Sequence, residues 1–232
     1  MKVIIVGATG FLGSEVLRQA LARKDITKVV AVTRRVLAEN VVKADAEKKM
    51  ENVVVKDYDV YDEKAKGAFA GADGCIWTIA ITPMRASKTP WEEVVRVCQT
   101  STLVGLRTIF ESGPANPFRF LYVSGVSGER DQTKKPWYHT QYCLMRGETE
   151  SQVLAYAKSH APLIEATVAK PGLIVDPGNL GQRVLSMGLR VTGVVPSVGL
   201  REISKAMLDQ VVGGFEKDPL LNADLVRLGA GA

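Results

Sequence analysis

The first thirteen residues, Met1-Lys2-Val3-Ile4-Ile5-Val6-Gly7-Ala8-Thr9-Gly10-Phe11-Leu12-Gly13, constrain this 232-residue chain more than any other stretch. The apolar run is long enough for one buried parallel strand, and three glycines at intervals of three follow it. Gly7 permits a tight turn, Gly10 lets backbone N–H groups approach a pyrophosphate, and Gly13 lets the next helix pack closely. Leu12, Val16, Ala20 and Leu21 then recur at helical spacing. The turn therefore opens an amphipathic helix whose positive N-terminal end faces the phosphates. An ordinary glycine turn is the competing reading; the flanking strand and helix patterns favour a dinucleotide site.

Further along, apolar β-branched runs alternate with helical patterns, which predicts a parallel sheet covered on both faces. Strands are expected at Val3–Val6, Val29–Thr33, Val53–Val55, Cys75–Ala80, Arg119–Ser124 and Ile164–Val168. Thr89-Pro90-Trp91-Glu92 reads as a capping box with proline at the first helical position, opening a helix to about Phe110. A second long helix should begin near Tyr138 or Gln141 and run to about Ser159. Right-handed crossovers turn this order into an α/β, doubly wound parallel sheet of the Rossmann type. Residues 1–232 read as a single domain, with about 176–232 as a small substrate-side elaboration. The loops Thr82–Lys88 and Gly128–Pro136 follow the fourth and fifth strands. Ligands in such sheets sit outside the carboxyl ends of the strands, so both loops border the expected site.

Composition narrows the function classes. With 46% hydrophobic residues the chain can bury one good core, and no stretch approaches the roughly 20 apolar residues of a membrane span. The N-terminus lacks a signal-peptide layout, and the three cysteines, Cys75, Cys98 and Cys143, are widely spaced without a CxxC. Reduced thiols in a cytoplasmic protein are expected. Two histidines leave little for a His-based metal site, so no metal is expected. The net charge is +5, with Lys and Arg scattered rather than clustered. That favours phosphorylated small ligands over nucleic acid. A monomer or a homodimer is expected.

About 20 residues beyond Gly13, where an acid would hydrogen-bond a ribose 2′-OH, the chain reads Thr33-Arg34-Arg35 with no adjacent Asp or Glu. A forked guanidinium suits a 2′-phosphate and an acid would repel one, so NADP(H) is preferred over NAD(H). The competing reading makes Arg34 and Arg35 plain surface charges. Asp57 and Tyr58, after the third strand, are placed for the adenine edge. Thr9, Phe11 and Leu12 in the glycine turn, with Ile79 and Ala80 at the fourth strand's end, complete the expected cofactor contacts on that side.

For chemistry, Ser124 ends the fifth strand, while Tyr142 and Arg146 stand one helical turn apart on one face. A phenol serves as a proton donor or acceptor beside a carbonyl once its pKa falls from about 10 toward neutrality, which a nearby cation promotes. Ser124 or Ser127 could hydrogen-bond the reacting oxygen.

These features resemble the atypical short-chain dehydrogenases/reductases over nearly the whole chain, and Gly-Ala-Thr-Gly-Phe-Leu-Gly is the turn of their extended and atypical branches. Tyr142-Cys-Leu-Met-Arg146-Gly147-Glu148-Thr149-Glu150, Lys170-Pro171-Gly172 and the run Val198 to Met207 are most similar to the Tat-interacting oxidoreductase-like branch. The resemblance implies that Tyr142 is the acid/base and that the residue four positions on binds ribose and lowers the tyrosine pKa. It also implies that Ser124 polarises a substrate carbonyl, and that Lys170, Pro171 and Gly172 lie against the cofactor, Pro-Gly near the carboxamide. Two departures stand out. Arg146 replaces the family's lysine and cannot shed a proton, and Lys170 stands where arginine is common.

An NADP(H)-dependent oxidoreductase acting on a small apolar or aromatic carbonyl or alcohol is the leading expectation. A cofactor-bound isomerase, cyclase or dehydratase is a second, and a non-catalytic dinucleotide sensor or interaction protein a third. Trp77, Met84, Trp137, Tyr138, Met187 and Leu189 could line an apolar pocket, with Gly181–Pro196 (including Val184, Leu185 and Val191) as its variable wall or as a self-association face.

Overall fold

The opening apolar run forms β1 (Lys2–Val6), and the glycine turn feeds α1 (Phe11–Ala22). In this computed structural model residues 1–43, 45, 48–176 and 196–230 are described. The chain continues through β2 (Lys28–Thr33), α2 (Glu39–Lys43), β3 (Met50–Val54), α3 (Glu63–Phe69), β4 (Gly74–Trp77), α4 (Pro83–Ala86) and α5 (Trp91–Val95). A π-helical turn (Arg96–Thr100) joins α5 to α6 (Ser101–Glu111), followed by β5 (Phe118–Val123), α7 (Thr140–Ser159) and β6 (Ile164–Lys170). The last elements are β7 (Leu173–Val175), β8 (Ser197–Gly199), α8 (Leu200–Gly213), β9 (Leu220–Leu221) and α9 (Asn222–Gly229).

Seven parallel strands make the main sheet in the order β3-β2-β1-β4-β5-β6-β9, and β7 pairs with β8 separately. The order reverses between β1 and β4, which opens a crevice at their carboxyl ends. Register keeps those ends level: Val6 pairs with both Val32 and Trp77, and Val123 with Ala169. Gly7, Thr78, Ser124 and Lys170 therefore share one rim.

Strand alternation divides the core. Val3 and Ile5 face α1 and α8 through Val16, Leu17, Ile203 and Met207. Ile4 and Val6 face the other layer, with Trp77, Leu106, Phe120 and Val153. The sequence places the six long strands and α7 to within a few residues, whereas β7, β8 and β9, two or three residues each, carry no periodic signal. Within the segment expected as a substrate-side elaboration, Ile203, Ala206, Met207 and Val211 of α8 are fully buried.

Three local expectations need correction. Pro90, not Thr89, is the residue before the first helical turn, and no side chain caps that end. The Thr89 hydroxyl instead donates to the Arg85 carbonyl at 2.9 Å. The expected single helix is also interrupted by the π turn, whose wider backbone pattern leaves no mark on apolar spacing. The fourth strand ends at Trp77 rather than Ala80, because the Thr78 hydroxyl folds back onto the Val6 carbonyl at 2.7 Å.

Candidate active site

The site begins at the glycine turn. Gly7 has φ +87°, and a Cβ there would lie 2.6 Å from the Ile79 side chain. A Cβ on Gly13 would lie 2.2 Å from the Gly7 carbonyl oxygen, so α1 packs against the turn as only glycine allows. Gly10 precedes α1 with no side-chain cap, and the first turn holds no acid. Helix-end N–H groups lack intrahelical partners. Thr9, Gly10 and Phe11 are exposed around them while Leu12 is buried as an anchor. An unclaimed helix end without negative charge fits a pyrophosphate.

At the end of β2, Arg34 and Arg35 are exposed, and the Thr33 hydroxyl fixes their backbone by donating to the Arg35 carbonyl at 2.7 Å. The Arg34 guanidinium lies 6.0 Å from the centre of the Tyr58 ring. Burial raises the Tyr58 phenol above its ordinary pKa, against the pull of Arg34. Asp57 is not free to meet an adenine unopposed, because Arg96 collects the acids of this edge. Its guanidinium reaches Asp57 at 3.6 Å, Asp59 at 3.1 Å and Glu93 at 2.7 Å. Sequence reading missed Arg96, whose partners are scattered over thirty-odd residues.

Tyr142 and Arg146 do share a face of α7, and both are buried. The Tyr142 hydroxyl donates to the Ile81 carbonyl at 2.9 Å. The Ile81 N–H in turn points at Cys98 Sγ, 3.2 Å away in the π turn. Ile79 and Ala80 lead into this pinned loop. The Arg146 guanidinium stacks 4.9 Å from the Tyr122 ring centre and donates from Nη2 to the Val123 carbonyl at 2.8 Å. Its Nη1 is buried without a hydrogen-bond partner among the described residues. Burial raises the Tyr142 phenol above 10, and Arg146 only partly offsets this. The expected fall toward neutrality is therefore reversed: desolvation outweighs the cation, and the phenol is a held proton.

Ser124 and Lys170 meet at a residue to which the sequence reading gave no role. Glu150, fully buried on α7, accepts from Ser124 Oγ at 2.6 Å, from Arg130 Nε at 2.7 Å and from Lys170 Nζ at 2.9 and 3.0 Å. Lys170 also donates to the Gly128 carbonyl at 2.5 Å. Its ammonium is held by protein acceptors on Gly128 and Glu150. Arg130 extends the network to Asp218 at 2.8 Å. Gly147 allows this closure, since a Cβ there would fall 1.7 Å from the Glu129 carbonyl oxygen. The Pro171 carbonyl accepts from the Val126 N–H at 2.8 Å, and the Gly172 N–H donates to Asn222 at 2.9 Å. Both residues therefore anchor the rim beside β6.

Of the expected pocket residues, Trp77 is core and Met84 is surface. Trp137 is 93% exposed, with its ring 5.6 Å from that of half-exposed Tyr138, beside a cavity of about 440 Å³ walled by Val126, Ser127 and Cys143. Met187, Leu189, Val184, Leu185 and Val191 lie outside the described residues. Among those described, no cluster of three or more His, Cys, Asp or Glu could hold a metal, and no helix is long and apolar enough to cross a membrane.

A parallel sheet with this strand order thus carries a glycine-lined helix end at its switch point and a tyrosine–cation pair on α7. Residues 3–192 match the model of the NAD dependent epimerase/dehydratase family. The chain belongs to that family. Solved structures share its fold: DesIV, a dTDP-glucose 4,6-dehydratase from Streptomyces venezuelae with NAD bound, superposes with TM-score 0.71 at 17% identity, over 99% of this chain and 80% of that one. Alfalfa (Medicago sativa) vestitone reductase gives TM-score 0.64 at 17% identity, over 95% and 76%. A curated fungal relative, leucinostatins biosynthesis cluster protein T of Purpureocillium lilacinum, is 28% identical over 92 residues, 40% of this chain. The match spans 32% of that relative's length. Family membership makes a pyridine dinucleotide the cofactor class, and the unclaimed α1 end and the orphaned Arg146 Nη1 fit it.

Proposed function

We propose that the protein is an NADP(H)-dependent oxidoreductase acting on a small, apolar or aromatic carbonyl or alcohol. The observation that carries the cofactor preference is the charge pattern at the end of β2. Arg34 and Arg35 are exposed there with no adjacent acid, while the three nearby carboxylates are held by Arg96. A 2′-phosphate would meet guanidinium, not carboxylate. Thr9, Gly10, Phe11 and Gly13 would hold the pyrophosphate, Tyr58 and Ile79 the adenine side, and Arg146 Nη1 a ribose hydroxyl, which supplies the acceptor it lacks.

When bound, the nicotinamide gives or takes a hydride. The chain's own part is proton handling and exclusion of water. Tyr142 carries a proton at its hydroxyl, held above the ordinary phenol pKa by burial, so it is set up as an acid toward a developing alkoxide. Arg146 fixes the phenol's helix to the β5 end and keeps its charge, its pKa being above the usual arginine value. Burial opposes that charge, and the buried Glu150 carboxylate nearby favours it. Trp137 and Tyr138 supply the aromatic wall. The narrower likeness to the Tat-interacting oxidoreductase-like branch belongs to this proposal and is supported by the Tyr142–Glu150 and Val198–Met207 runs. Cys75, Cys98 and Cys143 are free thiols, which supports a cytoplasmic setting.

A cofactor-bound, non-redox enzyme is the second reading, favoured by one observation: Arg146 stands in the lysine position and cannot relay a proton. Calorimetric titration with NADPH and NADH, followed by a carbonyl screen read at 340 nm, tests both. Tighter NADPH binding with stoichiometric NADPH loss is expected. Turnover without a change at 340 nm would leave the second reading, and absence of nucleotide binding would remove both.

A further inference from the structure

We infer that Ser124 meets the substrate as a hydrogen-bond acceptor, with Glu150 as its positioning residue, so that the substrate group seated there is a hydroxyl. This rests on the proposed reading of the β5–α7 edge as the substrate side of the site. A serine hydroxyl has one proton to give, whereas a carboxylate only accepts. At 2.6 Å from Glu150 Oε1, Ser124 gives its proton to the carboxylate in a short, charge-assisted bond.

The surroundings hold that polarity. Glu150 is fully buried and also takes hydrogen bonds from Lys170 and Arg130, so two cations face its charge. The Gly128 backbone closes over the pair: a Cβ on Gly128 would lie 3.0 Å from Ser124 Oγ and 2.3 Å from Glu150 Oε1. Turning the Ser124 proton outward would set its lone pairs against a buried carboxylate oxygen and forfeit the stronger bond. On its open side the half-buried Ser124 therefore offers lone pairs alone. A carbonyl oxygen placed there finds no donor; a hydroxyl finds an acceptor. This reverses the serine's expected task of polarising a carbonyl and leaves Tyr142 as the proton donor.

The test uses the full-length protein without nucleotide, with 1-phenylethanol and acetophenone as probes, so that neither is turned over. By saturation-transfer NMR the alcohol should bind about five- to tenfold more tightly than the ketone, the value of one neutral hydrogen bond. Ser124→Ala should abolish that preference. Glu150→Gln should invert it, because the amide turns its oxygen to Lys170 and its NH₂ to Ser124, freeing the serine proton for a carbonyl. A purely structural role for Glu150 would not change the sign. Should Glu150→Gln fail to fold, Ser124→Ala decides. In nucleotide-free wild type, proton NMR should also show a Ser124 hydroxyl resonance protected from exchange and close to the Glu150 side chain.

Equal or tighter binding of the ketone, binding of neither probe, an unchanged preference in Ser124→Ala, or a freely exchanging hydroxyl would each overturn the inference. Failure of the cofactor reading looks different: nucleotide binding is absent while the protected hydroxyl signal persists.

Discussion

Tyr142 keeps its proton and donates a hydrogen bond to the Ile81 carbonyl, and Arg34 holds a charge that no acid at the end of β2 answers. Both make sharp variants. Tyr142→Phe removes the acid and leaves the ring, so turnover should fall at least about a hundredfold with nucleotide affinity nearly intact. Steady-state assays at 340 nm alongside calorimetry check both halves, and near-normal turnover would remove Tyr142 from the chemistry. Arg34→Glu exchanges a charged hydrogen bond for repulsion. NADPH affinity should drop roughly ten- to a hundredfold and NADH affinity should change little. At this scale the sequence was informative wherever a residue's role follows from local spacing, as for Gly7, Gly13 and the Tyr142–Arg146 pair. It was silent on Glu150, whose partners Ser124, Arg130 and Lys170 lie 20 or more residues away in the chain. The Lys170–Glu150 contact was hidden for the same reason: the position of Lys170 beside Pro171 and Gly172 is local information, and its buried partner is not.

Among the elements, α7 does the most to organise the site, because one helix carries Tyr142, Arg146, Gly147 and Glu150. The Glu150 network ties it to β5, β6 and the loop after β5. Lys170→Met should expose how much that tie matters. Removing one cation from a buried cluster leaves charge uncompensated, so a loss of about 3 kcal/mol is expected in urea unfolding. Adding Glu150→Gln to Lys170→Met should recover part of it; a loss within error of zero for the single variant would show the pair to be dispensable. The α5–α6 helix was legible as a long amphipathic segment, yet its π turn was not. The widened turn carries Cys98, whose Sγ accepts from the Ile81 N–H, and leaves the apolar pattern that announced the helix undisturbed.

For the molecule as a whole, a consequence follows from burying phenols beside a tightly packed sheet. Tyr61, Tyr122 and Tyr142 all have pKa values raised above 10, in each case chiefly by desolvation. The unfolded chain releases these protons near pH 10, while the fold retains them to higher pH. These phenols therefore leave stability unchanged below about pH 10 and lower it as pH rises beyond, by about 1.4 kcal/mol per pH unit for each phenol that the fold keeps protonated. Urea midpoints between pH 7 and 11 check this, and a flat profile to pH 11 would contradict it. The architecture itself was readable in advance, since alternating buried strands and amphipathic helices leave few other solutions. The closing strand β9 was not readable, because two residues cannot display a period.

Under the proposed reading Arg96 sets the charge that a phosphorylated ligand meets at the adenine side, because Asp57, Asp59 and Glu93 all answer to it. By grasping three carboxylates it mutes a patch of opposite sign. Arg96→Ala would unmask them, slowing nucleotide capture most at low ionic strength and hardly at all in concentrated salt, where screening hides the difference. Stopped-flow capture rates across a salt series would show whether the gatekeeper of this pocket stands outside it.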